Sequence, residues 1–247
     1  MGSLINRVGA TTMAFAIAHS ALAGAALGLM LQRDVTQTAF ALAVAVAAVL
    51  GPLADYTSIK LDLASMAMFS AFNALTLIFI VNSPGPALAT ERVGEVLWGS
   101  VLAVTGEYLA VLAGLAIAVT TSVAVAWGRL LPVLFDRLLA EAEGLNTKPY
   151  VYSLLVVSGV AIALTLRIVG GFLIFSLLYI PAAASMQLFE DIRGIVAASA
   201  LMGAASGALG VLLSFALDLP VGCSIVLASI GLLASSSIVG GLRRLGR

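Results

Sequence analysis

The chain is written as long apolar blocks separated by short polar interruptions. The blocks cover residues 8–31, 35–54, 63–82, 97–127, 149–169, 171–187, 193–217 and 221–241. A helix of about 20 residues is about 30 Å long, the thickness of a bilayer's hydrocarbon core, and most blocks reach that length. Strands of a membrane barrel would instead alternate apolar and polar positions in segments of about 10. No such alternation runs through 35–54 or 63–82. The pattern predicts an all-α polytopic transmembrane bundle of about eight spanning segments, forming a single domain over 1–247. Two blocks are irregular. The fourth is too long for one straight span, and Gly99 and Gly106 predict a short interfacial piece before it crosses. The sixth is short and holds Pro181, which predicts a broken helix. Irregular backbone at membrane depth is tolerated where it is buried in protein or lines a water-filled cavity.

Composition narrows the class. Hydrophobic residues make up 62% of the chain and charged residues 10%, where a soluble domain carries about 25% charged residues. Basic and acidic residues balance at 12 each, so no charge excess points to nucleic acid. Cys223 is the one cysteine, which excludes an internal disulfide. Arg7 ahead of an apolar stretch with Ala21, Leu22 and Ala23 looks like a cleavable leader. The block 8–31 is too long for one and contains a histidine, so it reads as a membrane helix.

Charge also orients the chain. If each block crosses once, Arg7, Lys60, Arg129, Arg137, Lys148, Arg193, Arg243, Arg244 and Arg247 fall on one side; Arg33, Arg92 and Arg167 fall on the other. Basic residues collect in the cytoplasm. Both termini and the 128–148 loop are therefore expected on the cytoplasmic side of a cell (inner) membrane, with Asp34 and the 84–95 loop outside. Gly24 with Gly28, and Gly203 with Gly207 and Gly210, are spaced to let helices approach closely.

The 128–148 loop is more than a polar link. Phe135, Leu138, Leu139 and Ala142 recur at helical spacing. Asp136 stands where a carboxylate suits a helix N-terminus, and Gly144 suits the C-terminal cap. A short amphipathic helix over 135–144 follows. It either lies on lipid or docks into a groove on a cytoplasmic protein. An interfacial helix needs a polar face rich in Lys and Arg, but Asp136, Glu141 and Glu143 outnumber Arg137 here. That balance favours docking.

Six stretches carry a family resemblance. Phe135-Asp-Arg-Leu-Leu-Ala-Glu-Ala-Glu-Gly-Leu-Asn is followed by Thr165-Leu-Arg-Ile-Val-Gly-Gly-Phe-Leu-Ile and Leu177-Leu-Tyr-Ile-Pro-Ala-Ala-Ala-Ser. Ala18-His-Ser-Ala-Leu-Ala-Gly, Leu97-Trp-Gly-Ser-Val-Leu-Ala-Val-Thr-Gly-Glu and Asp218-Leu-Pro-Val-Gly-Cys-Ser-Ile-Val-Leu flank them. In this order they resemble the zinc/manganese/iron family of ABC importer permeases. The resemblance implies a homodimeric pore, two cytoplasmic ATP-binding subunits and an extracellular or periplasmic metal-binding protein. It implies that Phe135, Asp136, Leu139, Glu143 and Gly144 couple to the ATPase. No resident cofactor is implied, since the divalent metal ion is cargo. The chain departs from the family twice. Family members begin with a further spanning helix ahead of the arginine matching Arg7, so that first helix is expected to be missing here. They also often carry an aspartate four residues before the histidine, where this chain has Phe15.

His19 is the one histidine and lies near the middle of the first block. An ionisable group at that depth is costly unless partnered. A neutral imidazole ligates Zn, Fe and Mn-like ions; the alternative is a hydrogen bond that glues two helices. With the resemblance, His19 is the expected translocation-pathway residue. Glu107 reads as solvated near the outer interface, Ser70 and Asn73 as interhelical hydrogen-bonders, Cys223 as a small hydrophobe and Arg167 as snorkelling to the interface. The sequence holds no nucleophile with a base, no paired carboxylates within a span and no phosphate-binding Gly-Lys loop. No catalytic residue is expected, and ATP hydrolysis falls to a partner. The function expected is a permease for a divalent transition-metal ion. Its rivals are the same architecture carrying a metal chelate such as a siderophore or cobalamin, and a membrane scaffold whose loop binds a cytoplasmic protein.

Overall fold

A computed structural model describes residues 1–98 and 105–245 of the chain. In chain order its helices are α1 (Gly2–Arg7), α2 (Met13–Met30), α3 (Val35–Thr57), α4 (Leu61–Val81), α5 (Pro86–Trp98), α6 (Gly106–Phe135), α7 (Arg137–Ala142), α8 (Lys148–Val169), α9 (Gly171–Leu188), α10 (Ile192–Leu217) and α11 (Val221–Leu245). Among the described residues, α2, α3, α4, α6, α8, α10 and α11 are long and apolar enough to cross a membrane, and α9 is a shorter apolar helix. Each of the eight apolar blocks thus returns as a helix of a multi-pass membrane fold.

Three boundaries differ from the sequence reading. The first block is not helical from residue 8. Gly9 turns the chain at φ +70, and α2 starts only after Thr12. The Thr12 backbone N–H donates to the Asp62 carboxylate on α4 at 2.8 Å, and its hydroxyl donates to the Asp62 carbonyl at 2.9 Å. In the fourth block, residues 97–98 end α5 and the crossing helix α6 begins at Gly106; the expected interfacial piece at Gly99 lies outside the described residues. With 30 residues, α6 is about 45 Å long, longer than a core of about 30 Å. Finally, α9 runs unbroken through Pro181. Membrane helices tolerate proline where surrounding groups satisfy the freed backbone.

The chain divides into two compact units. In the unit formed by residues 7–171, α2 packs against α3 and α4, α8 lies on α3, and α5 covers parts of α2 and α8. Its core includes Met13, Ile17, Leu50, Leu134, Leu155 and Leu166. Helices α2 and α3 run antiparallel at close approach. A Cβ built on Gly24 would stand 2.5 Å from the Thr38 carbonyl oxygen and 2.8 Å from the Ala39 Cα. In the unit formed by residues 1–6 and 172–247, α1 seats Gly2 against Leu178, and the Ser3 and Ser199 hydroxyls lie 3.3 Å apart. Helices α10 and α11 form an antiparallel pair, and a Cβ on Gly210 would stand 2.6 Å from the Ile225 nitrogen. Gly207 faces open space and Gly203 meets only Pro181. Of the small-residue positions picked from spacing, Gly24, Gly28 and Gly210 make the close contacts.

The approach at Gly24 is backbone against backbone, so no side chain can yield. Gly24→Val is expected to destabilise the protein by about 1–3 kcal/mol, the usual cost of overpacking. Gly128→Ala, in open space, should stay within about 0.5 kcal/mol of wild type. Thermal unfolding in detergent checks both.

Candidate functional site

The short helix α7 is built by its own caps. Asp136 is extended at φ −155 and accepts hydrogen bonds from the Leu138 and Leu139 backbone N–H groups at 2.9 and 3.1 Å. Glu143 is the C-cap residue, and Gly144 follows at φ +87. The Gly144 N–H donates to the Glu141 carbonyl and the Leu145 N–H to the Ala140 carbonyl, both at 3.0 Å. That pair of bonds is a Schellman motif, and it needs the left-handed residue that Gly144 supplies. Phe135 falls outside α7 as the last residue of α6, because extended Asp136 separates the two helices.

The polarity of α7 is inverted relative to a helix on a soluble surface. Its charged residues turn toward the unit that bears it. Arg137 Nη2 lies 3.5 Å from Asp55 Oδ1. Arg137 Nε donates to Glu141 Oε1 at 3.0 Å and to Thr147 Oγ1 at 3.2 Å, and the Thr147 hydroxyl donates in turn to Glu141. The Thr147 hydroxyl and then Arg137 hold the Glu141 carboxyl below its ordinary range, so it stays ionised at neutral pH. Asp55, at the end of α3, also accepts the Tyr152 hydroxyl at 2.7 Å and has Lys148 Nζ at 3.7 Å. Ala140 is buried in the same direction, whereas Phe135, Leu138 and Leu139 are 72%, 78% and 51% exposed. Glu143 and Gly144 are exposed as well. An apolar patch carried on a short helix with fixed caps is suited to entering a groove on another protein.

A cavity of about 320 Å³ opens beside this network, lined by Gly9, Asp55, Lys60, Asp62, Arg137 and Tyr152 among others. The start of α2, the turn between α3 and α4, and α7 therefore share one end of the unit formed by residues 7–171.

His19 is half-buried on the side of α2 that meets α4. Its Nδ1 lies 3.1 Å from the Phe15 carbonyl oxygen. A carbonyl only accepts, so Nδ1 carries the proton and Nε2 keeps its lone pair for a ligand. The ring stands edge-on to Phe69, with centroids 4.4 Å apart at 73°. Phe15 meets the same Phe69 ring at 6.2 Å. The hydrogen bond of His19 stays within α2, so the residue is not spent as glue between helices. Among the described residues, no group of three or more His, Cys, Asp or Glu side chains gathers to hold a metal ion. The arrangement offers one imidazole in an aromatic slot, which suits brief ligation better than retention.

Of the residues given bland readings, Glu107 is exposed on α6, and Ser70 and Asn73 are exposed on α4 rather than between helices. Cys223 is exposed on α11. The Arg167 side chain lies outside the described residues. Sequence reading missed Asp55, Tyr152, Thr147 and Asp62. The one local signal was a carboxylate placed directly after a charge-free block, at position 55.

Comparison with known proteins fits this arrangement. Residues 1–240 match the ABC 3 transport family. The chain is 31% identical over 229 residues to the manganese transport system membrane protein MntC of Listeria monocytogenes, covering 93% of this chain and 80% of the relative. It is 29% identical over 215 residues to the high-affinity zinc uptake system membrane protein ZnuB of Haemophilus influenzae, covering 86% and 80%. Among solved structures it is similar to PsaBC from Streptococcus pneumoniae in complex with Fab, with a TM-score of 0.77, 28% identity and coverage of 95% of this chain and 83% of that one. A metal-chelate type ABC transporter in an inward-facing conformation shares the fold at a TM-score of 0.62 and 14% identity. By its sequence and its fold, the chain belongs to the ABC 3 transport family of membrane permeases.

Proposed function

We propose that this chain is the translocation subunit of an importer that moves a divalent transition-metal ion into the cytoplasm, driven by ATP-binding subunits docked on α7. The observation that carries the reading is the inverted polarity of α7, whose charged face is tied to Asp55 while Phe135, Leu138 and Leu139 face outward. Relatives named for manganese and for zinc favour a free ion as cargo, and a neutral imidazole nitrogen suits either. The pore forms between two copies, with one His19 from each. A metal-binding protein delivers the ion on the face carrying Asp34 and the 84–95 segment. Arg7, Lys60, Arg137 and Lys148, placed on the cytoplasmic side by the charge bias, stand at the same end of their unit as α7, which supports that orientation. Nucleotide-driven movement of the ATPases shifts the subunit between outward- and inward-open states, and the ion is passed on by transient ligation.

The reading is tested with the complete importer in proteoliposomes. His19→Ala should lower manganese or zinc uptake by no less than the roughly 10–100-fold typical of losing an outer-shell partner of a metal site. Expression and ATPase co-purification should stay unchanged. Wild-type uptake by this variant would remove His19 from the path.

Docking has its own test. Leu138→Glu places a charge in the centre of the exposed apolar patch. It should weaken ATPase binding by about 2 kcal/mol or more, roughly 30-fold in Kd, as for an interface hot spot. Equal affinity by titration of the purified ATPase would contradict docking through α7.

Orientation is read by labelling single cysteines in a Cys223→Ser background. A cysteine at Glu91 should react with an impermeant maleimide from outside, and one at Lys148 should not. The opposite pattern would invert the topology.

A further inference from the structure

Resting on the proposed coupling through α7, we infer that Asp55 is the positioning residue that carries movement of α7 into the helix behind His19. Helix α7 is joined covalently to α6 and α8 only. Its route to α3 is the polar contact of Arg137 with Asp55. Its other holds do not reach α3: the buried Thr147 hydroxyl, just before α8, ties down Arg137 and Glu141, and Ala140 is buried, while Phe135, Leu138 and Leu139 are exposed. A load applied to the outer face of α7 therefore reaches α3 through Arg137.

Asp55 is placed to receive that load and spread it. Its carboxylate also takes the Tyr152 hydroxyl and faces Lys148, both on α8. One turn earlier on α3, Gly51 makes room for the Tyr152 ring: a Cβ there would stand 2.6 Å from Cδ1 and 2.8 Å from Cε1. Gly159 of α8 then seats against Ala47 of α3, so the two antiparallel helices are keyed along their length. On its other side α3 is keyed to α2, where Gly24 and Gly28 lie against Thr38 and its neighbours. Helix α2 carries His19. The chain of contacts runs from α7 through Arg137 and Asp55 into α3, and from α3 into α2. Every link after Asp55 is a close approach of helices with no slack, and Asp55 is the one link made by a charge contact.

A stabilising ion pair and a transmitting one differ in what their loss changes. In the complete importer, Asp55→Asn should retain ATPase co-purification and ATP hydrolysis, while metal ions taken up per ATP hydrolysed fall about tenfold, within the range seen when a coupling residue is altered. Asp55→Glu, which keeps the charge, should recover most of the ratio. Arg137→Gln leaves Asp55 its Tyr152 and Lys148 partners and should lower the ratio in the same way; it is the deciding variant if Asp55→Asn does not fold by size-exclusion chromatography. An unchanged uptake-to-hydrolysis ratio in folded Asp55→Asn or in Arg137→Gln overturns the inference. Equal losses of uptake and hydrolysis also overturn it, since they mark a residue that only holds the complex together. Absence of uptake in the wild-type importer is a different outcome, which removes the transport reading itself.

Discussion

A carboxylate at the end of an apolar membrane helix has to be satisfied, because leaving it half-buried and unpaired is costly. Asp55 is in that position, and the local architecture is arranged around it. Tyr152 supplies a hydroxyl, Lys148 a cation and Arg137 a second cation from a different element. Recruiting Arg137 turns the charged side of α7 inward. With only six residues in α7, the face opposite Arg137 and Glu141 must then point away, and it carries Leu138 and Leu139. The outward apolar face agrees with this inward charge contact, while the helix itself is held by its caps at Asp136 and Gly144. Exposed ion pairs contribute little individually, about 0–1 kcal/mol. A carboxylate shared by three partners is fixed more firmly in direction than in energy.

The rest of this unit is held by a different principle. Inside a bilayer, apolar side chains gain little by leaving lipid for one another, so helices associate through close packing of small residues. Gly24 of α2 against α3, and Gly159 of α8 against Ala47, are contacts of that kind. They leave α2 well buried, with 72% of its apolar window enclosed, against none of that of α6. The histidine is therefore on the most enclosed of the unit's long apolar helices, and the exposed apolar patch is at the end of the least enclosed one.

Much of this was legible in the sequence because the bilayer imposes it. Eight apolar blocks became eight helices, since length and apolarity are what a span requires. The caps of α7 were legible too, as Asp136 and Gly144 act within a few residues of themselves. What failed was non-local or depended on neighbours. Pro181 reads as a break in isolation, yet α9 continues through it. The turn at Gly9 and the late start of α2 depend on Asp62, a residue of α4. Phe135 fits the periodicity of α7 but belongs to α6, because one extended residue intervenes. Asp55 was passed over for the same reason: its partners are Arg137, Lys148 and Tyr152, and only the folded chain brings them together. His19 stands out in the sequence as the one histidine, but which of its nitrogens faces a backbone acceptor follows only from the Phe15 carbonyl.

The central claim is that the chain passes a free metal ion across the membrane in step with ATP hydrolysis by a docked partner. ATP-dependent accumulation of manganese or zinc in proteoliposomes, measured with wild-type permease, its ATPase and its binding protein, tests it most directly. The account predicts accumulation of the free ion that stops when ATP or the ATPase is withheld. Accumulation that requires the metal to be chelated, or no accumulation with all components present, would contradict it.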